Sequence, residues 1–325
     1  MPPRPQPTSA LATLTQPSPH TRLATIDLGS NSFHLLVAET HEGRLQLVAR
    51  QGVTVQLGAG LDDANHLDEA TLQRALTGLA RFLPLLKQVD RRYLRVVGTS
   101  ALRAARNRQD FIMRAEALLD CRVEIISGEE EARLIYLGAA HALNRDDERR
   151  LVVDIGGGST ECIVGSQLQP LLMRSLDVGC VSHTRRHFPE GTLSEAGMGQ
   201  IEKDVRLQLE PAQAEYRQLG WHEALGTSGT IKATAAVLAA TGEPSGLIKR
   251  DALLDLRQRV IECGQLDRVK LPGLTSDRSH IFPAGVAILC AIFAGFELSS
   301  LRYADGALRE GALYDMLERD PLPRP

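Results

Sequence analysis

The chain has 325 residues, is 43% hydrophobic and 24% charged, and carries a formal net charge of −3. That length favours two domains, each able to bury its own core, and the composition is that of an ordinary soluble globular protein. No global basic field points to nucleic acid, so an anionic ligand needs local basic clusters or backbone amides.

In chain order, residues 1–20 hold six prolines and no apolar signal core, and read as a disordered tail. From Leu23 the pattern becomes regular. "LATIDLG", "SFHLLVAE" and "GRLQLVARQ" are three strands. An amphipathic helix follows over 68–88, with Pro84 bending or shortening it. "YLRVVGTS" is a strand, "ALRAARNRQDFIMRAEALL" a helix, "RVEIISG" a strand and "EEEARLIYLGAAHAL" a helix. After the polar "NRDDERR" the cycle restarts with the strands "RLVVDIGGG", "TECIVGS" and "PLLMRSLDVG". A long helix is expected over 194–219, then a strand ending in "HEALGTSG", the helix "TIKATAAVLAATG", and further helices including one after Pro283. "LRYADGA" is a last strand and "LREGALYDML" a last helix.

Each half thus reads as three strands followed by helices alternating with further strands. This implies a duplicated α/β fold, with residues 21–143 as one domain and 144–307 as the second. A cleft between the halves is the favoured place for a ligand. The apolar "AGVAILCAIFAGF" falls short of the roughly 20 residues a membrane span needs and reads as a core helix. Five scattered cysteines without C-x-x-C spacing argue against disulfides or a zinc site and fit a reducing cytoplasm.

The repeated phrase is "IDLGSNS" and "VDIGGGSTE": a strand, Asp27 or Asp154, then small residues. Gly156, Gly157 and Gly158 allow a turn whose N–H groups converge on an anion, with Ser30, Ser32, Ser159 and Thr160 as hydroxyl donors. A tight hairpin turn without ligand is the alternative. A third loop, "LGTSGTIKA", with Gly226, Ser228, Gly229 and Thr230, joins a strand to a helix whose first amides favour phosphate. Its alternative is a helix capped by Ser228 or Thr230.

Asp27 and Asp154 are out of place in an anion site. Like charges about 4 Å apart repel by about 4 kcal/mol at an effective dielectric near 20. A divalent cation reverses that sign, and Asp154 with Glu161 is the first choice for a Mg²⁺ site. "ISGEEEARL" offers a base. Ser127 and Glu130 suit a capping box, and three successive glutamates point about 100° apart, so one or two can face the cleft. Arg103, one turn into a helix at a strand's end, suits bidentate phosphate binding, whereas the run Arg185, Arg186, His187 reads as a solvated face. His34 reads as packed rather than catalytic.

Taken in order, "IDLGSNSFHLLVAE", "VGTSALRAARN", "EIISGEEEARLIYLGA", "LVVDIGGGSTE", "VGCVS", "LGTSGTIKA", "FPAGVAILCAIF" and "DGALREGALYDML" resemble the exopolyphosphatase/guanosine pentaphosphate phosphatase family over residues 21–317. The resemblance implies two ribonuclease-H-like domains of the actin-like ATPase superfamily around a cleft, with a last helix over 308–318 returning to the first domain. It implies Glu131 as catalytic base, Asp154 and Glu161 as Mg²⁺-associated acids, and phosphate binding by Asn31, Ser32, Arg103 and the glycines of both later loops. The expected reaction is water attack on a terminal phosphorus of polyphosphate, or of guanosine pentaphosphate (pppGpp) as the alternative. "YRQLGWHEALGTSGT" and "IECGQLDR" look slightly closer to the pentaphosphatase branch. Longer members continue into an all-helical region. This sequence departs from them after "LYDMLERDPLPRP", which shifts weight towards a small substrate. An ATP-dependent kinase or ATPase of the same superfamily and a non-catalytic sensor are the rival classes. No nucleic-acid or membrane partner is expected, and a homodimer is left open.

Overall fold

The computed structural model describes residues 21–41, 44–143 and 148–319, so the expected tail over 1–20 lies outside the described residues. The first half contains β1 (Arg22–Leu28), β2 (Ser32–His41), β3 (Arg44–Thr54), α1 (Glu69–Ala80), α2 (Leu83–Leu86), β4 (Leu94–Gly98), α3 (Ser100–Ala104), α4 (Arg108–Leu119), β5 (Val123–Ile125) and α5 (Gly128–His141). The rest contains β6 (Arg149–Ile155), β7 (Thr160–Ser166), β8 (Gln169–Leu176), α6 (Cys180–His187), α7 (Glu195–Leu219), β9 (Glu223–Thr227), α8 (Ser228–Ala239), β10 (Leu247–Lys249), α9 (Arg250–Glu262), α10 (Phe282–Gly295), β11 (Ser300–Tyr303) and α11 (Leu308–Arg319).

The two sheets repeat one plan. The first has the order β3-β2-β1-β4-β5, and the second β8-β7-β6-β9-β11 with β10 added at its edge. In both, the first three strands of the half form an antiparallel meander, and β1 pairs parallel with β4 as β6 does with β9. Asp27 faces His34 across β1 and β2, and Asp154 faces Glu161 across β6 and β7. The repeated phrase therefore occupies the same turn of both sheets.

Each half has its own apolar core, and a third cluster lies between them. That cluster joins Val97 of β4, Ile135 and Tyr136 of α5, Ile163 of β7, and Leu308 and Ala312 of α11. Helix α11 returns to the first sheet, where Leu313 packs with Leu23 and Leu36 and Thr25 Oγ1 donates to the Arg309 carbonyl at 3.1 Å. Glycines let α5 and α11 touch backbone to backbone: a Cβ at Gly311 would sit 1.8 Å from the Leu134 carbonyl oxygen, and one at Gly138 2.0 Å from that of Ala307.

The expected helix over 68–88 is two helices, because Pro84 enters at the second position of α2 rather than inside a continuous helix. The helix expected over 101–119 likewise divides at residues 105–107. Helix α6 and strand β10 have no clear apolar period. The covered residues of α6 are Cys180, Val181, His183 and Thr184, half of them polar, and β10 has only three residues. Helix α10 is buried along nearly its whole length, and no helix among the described residues is long and apolar enough to cross a membrane.

Candidate active site

The cleft between the halves holds a cavity of about 460 Å³. Its walls include Asp27 and residues 29–32 from the turn after β1, Asp154 and residues 156–159 from the turn after β6, and Ser228, Gly229 and Thr230 from the start of α8. The two glycine turns lie against each other. A Cβ on Gly157 would be 2.8 Å from Ser30 Cβ, and one on Gly158 2.4 Å from Ser100 Oγ, so any side chain there would fill the space between the halves. The carbonyls of both turns are occupied from outside. The Ser30 oxygen accepts from Gly58 N–H at 2.8 Å, and that of Asn31 accepts from Val55 N–H at 2.9 Å. The Gly156 oxygen accepts from Cys180 N–H at 3.0 Å, and that of Gly157 from Val181 N–H at 2.8 Å.

The third loop is not a capped helix start. Thr227 at the N-cap makes no capping bond, because its hydroxyl donates to Asp154 Oδ2 at 2.6 Å. Ser228 adopts φ +74° and donates to the Ile155 carbonyl at 2.9 Å. The first-turn amides of α8 therefore lack a side-chain cap beside the cavity, the arrangement that favours an anion.

Of the three successive glutamates only Glu131 reaches the cavity. Glu129 is exposed. Glu130 does not complete the expected capping box: its N–H bonds Ser127 Oγ at 3.1 Å, but its carboxylate turns to Arg133 at 2.8 Å. Burial pushes the Glu131 carboxyl up to about 7, against the pull of Arg103, whose Nη1 donates to Glu131 Oε2 at 2.6 Å. Burial likewise raises Asp154 to about 6, against the Thr227 hydrogen bond. Asp27 rises to about 7 by burial, opposed by Arg309 and reinforced by Glu131 and Asp154, although part of its surface stays open to the cavity. Glu161 is raised well above the usual range by burial and by Glu131 and Asp154.

Four expected site residues do not line the cavity, among them Thr160, whose hydroxyl donates to the Val178 carbonyl at 2.6 Å. Glu161 stands one strand behind Asp154 and accepts from Ser175 Oγ at 2.8 Å. Arg103 Nη1 bonds Glu131 and the Ile126 carbonyl. Gly226 makes room for packing, since a Cβ there would be 2.4 Å from Leu301 Cδ2 and 2.7 Å from Ile231 Cγ2. His34, expected to be packed, does line the cavity, where burial and then Arg309, Arg278 and Arg50 lower its imidazole to about 3. It is neutral at neutral pH.

Sequence reasoning missed the cavity's cations, Arg50, Lys232, Arg278 and Arg309. They come from β3, α8, the loop before α10 and α11, and no run of basic residues announces them. Arg278 packs so closely on Gly229 that a Cβ there would lie 2.0 Å from its Cζ. Thr99 and Ser100 were also missed, and here a signal existed: "GTS" recurs after the equivalent strands β4 and β9.

The acids can be tested against a divalent cation. Asp27 Oδ1 is buried with no hydrogen-bond partner, Glu131 and Asp154 both raise Asp27, and Asp154 raises Glu131. They do not form a closed cage. Among the described residues, the only three His, Cys, Asp or Glu ligand atoms converging within 4.8 Å lie elsewhere, at His183, His187 and Asp204. An open pair of carboxylates suits Mg²⁺, which commonly takes one or two carboxylates and completes its shell with phosphate oxygens and water.

A family model, that of the Ppx/GppA phosphatase family, matches residues 36–320. The chain belongs to this family. Solved structures agree: a Ppx/GppA family member from Aquifex aeolicus is 26% identical with a TM-score of 0.75, covering 93% of this chain and 99% of that one. An exopolyphosphatase from Cytophaga hutchinsonii, 24% identical, superposes with a TM-score of 0.81 over 92% of this chain and 98% of that one. A nucleoside triphosphate hydrolase from Neospora caninum shares the fold at 11% identity, with a TM-score of 0.51 and 93% of each chain covered. The paired sheets of this Ppx/GppA phosphatase are thus the two ribonuclease-H-like domains of the actin-like ATPase superfamily.

Proposed function

We propose that this Ppx/GppA phosphatase is a Mg²⁺-dependent exopolyphosphatase that releases the terminal phosphate of inorganic polyphosphate with Glu131 as general base. One observation carries this reading: a single cavity brings a carboxylate of pKa about 7 together with four cations and the three phosphate loops. A base whose pKa lies near the working pH combines the correct ionisation with a useful driving force.

The terminal phosphate would rest on the amides and hydroxyls of residues 30–32, 156–159 and 228–230, with Arg50, Lys232, Arg278 and Arg309 neutralising the following phosphates. Glu131, held by Arg103, takes a proton from water as the water oxygen bonds to the terminal phosphorus. The bridging P–O bond breaks and its electron pair leaves with the shortened chain. His34, being neutral, can donate a hydrogen bond but adds no charge. Asp154, with Asp27 in the same cavity and Glu161 behind it, would hold Mg²⁺, which when bound supplies neutralisation of non-bridging phosphate oxygens.

The 5′-triphosphate of pppGpp offers the same terminal group and is the second reading. The lining favours the polymer, because it combines four cations with a single phenol, Tyr303, among the described residues. The five free cysteines fit a cytoplasmic enzyme. Free-phosphate release from long polyphosphate, tripolyphosphate, pppGpp and ATP, each with and without Mg²⁺, tests the proposal. Release from polyphosphate that requires Mg²⁺ and exceeds the others supports it. Preferential release from pppGpp moves the assignment to the second reading, and turnover of ATP alone overturns both.

A further inference from the structure

Outside the cavity, α6 packs on α7. His183 and His187 are four residues apart on α6 and so share a face. Asp204 of α7 meets them there. His187 Nε2 lies 2.9 Å from Asp204 Oδ2, and His183 Nε2 lies 3.6 Å from the same oxygen. One ligand atom from each of the three falls within 4.8 Å of the others. A tetrahedral ion with bonds near 2.0–2.1 Å sets its ligands about 3.4 Å apart, so these separations bracket the required spacing.

His183 is 1% exposed, and its Nε2 is buried without a hydrogen-bond partner. A buried orphan of this kind is costly in an ordinary core. One tautomer has Nδ1 accepting from Gly179 N–H at 3.4 Å, which puts the proton on Nε2 where it finds no acceptor in hydrogen-bond range. The other has Nδ1–H donating to Ser182 Oγ at 3.1 Å, which frees the Nε2 lone pair to face Asp204 and His187. Metal-bound histidines commonly donate the second ring nitrogen in this way. Burial, then Arg186 and His187, lowers His183 to about 4, so it is neutral at physiological pH, as a ligand must be.

We propose that His183, His187 and Asp204 bind a zinc-class divalent transition ion, at a site separate from the phosphate cavity. Two imidazoles and one carboxylate suit such an ion, whereas Mg²⁺ prefers oxygen alone. Gln200 Nε2 supports the other Asp204 oxygen at 3.3 Å. Arg186, 3.9 Å from Oδ2, is exposed and free to move aside. The ion would fasten α6 to α7, and the first amides of α6 hold the Gly156 and Gly157 carbonyls, so the site is mechanically continuous with the phosphate loop.

The test uses the full chain, freed of metal with a chelator and titrated calorimetrically with Zn²⁺ in excess Mg²⁺, with Co²⁺ as the spectroscopic probe. Wild type is expected to bind one Zn²⁺ with a rise in Tm, and to give the intense visible Co²⁺ absorption of a low-coordinate site with nitrogen ligands. His187→Gln and Asp204→Asn, which keep size and hydrogen bonding, should each lose about tenfold or more in affinity together with the Co²⁺ bands. Asp154→Asn should retain both, which separates this site from the cavity acids. Affinity unchanged within about twofold in His187→Gln and Asp204→Asn, or no Zn²⁺ binding above the Mg²⁺ background, would overturn the proposal and leave the three residues as a helix-to-helix ion pair.

Discussion

Glu131 is useful because two opposing influences act on one carboxylate. Burial raises it while Arg103 pulls it down, and the balance rests near 7. In the proposed mechanism Arg103 therefore acts through Glu131 rather than on a phosphate. Removing the guanidinium in Arg103→Ala removes the opposing influence, so the Glu131 pKa should rise. Because the base works only when ionised, the acid limb of kcat/KM should move to higher pH, by roughly one unit. A limb that stays in place while activity falls would return Arg103 to phosphate binding. At this scale the sequence was partly legible. "EEEAR" pointed to the glutamates and helical geometry limited how many could face the cleft. Which one did so depended on Glu130 being drawn away by Arg133 of the motif itself together with Arg95 and Arg319, which lie outside it. The cations were illegible because each comes from a different element.

Among the elements, α11 does two things: it carries Arg309 to the cavity and it locks the halves together. Its Asp315 is buried between Arg95 at 2.6 Å and Arg133 at 2.6 Å, and despite burial the Arg133 hydrogen bond and neighbouring cations hold its carboxyl below the usual range. Its Gly311 abuts the Leu134 carbonyl on α5. Since that neighbour is backbone, it cannot move aside as a side chain could. Gly311→Ala is expected to destabilise the protein by about 3 kcal/mol, measured by denaturant unfolding, even though alanine favours helices. Unchanged stability would mean that α5 and α11 separate freely. "DGALREGALYDML" announced this helix and the family resemblance its return to the first domain, but neither showed the backbone contact, which sequence shows only as two unremarked glycines. Helix α6 was invisible for a related reason: its covered face mixes Cys180 and Val181 with His183 and Thr184, so no continuous apolar stripe marks it.

For the whole molecule, duplication explains both the fold and the electrostatic tension. Two copies of one strand-and-turn unit place Asp27 and Asp154 in one cavity, where Asp154 adds to the rise that burial gives Asp27. The repeat was readable because the turn after the first strand of each half must use small residues. The tension has a consequence for stability. A carboxyl raised from 3.8 to about 7 keeps its proton in the folded chain after the unfolded chain has lost it. Its contribution is therefore full below about pH 4, declines as pH rises to about 7, and is flat above. Asp27→Asn cannot ionise, so in Mg²⁺-free buffer the variant should gain on wild type across that window and melt about 2 °C higher at pH 7.5. Equal melting temperatures at pH 4 and a growing gap towards pH 7 are the expected pattern in thermal scans. A gap that is constant with pH would mean that Asp27 is not strained by ionisation.

The central claim is that this shared crevice activates water through Glu131, and steady-state phosphate release from polyphosphate by Glu131→Gln, in saturating Mg²⁺ beside wild type, tests it most directly. The expected result is a fall in kcat of about a hundredfold or more, with KM changed by no more than about twofold. A variant that turns over at close to the wild-type rate would contradict it.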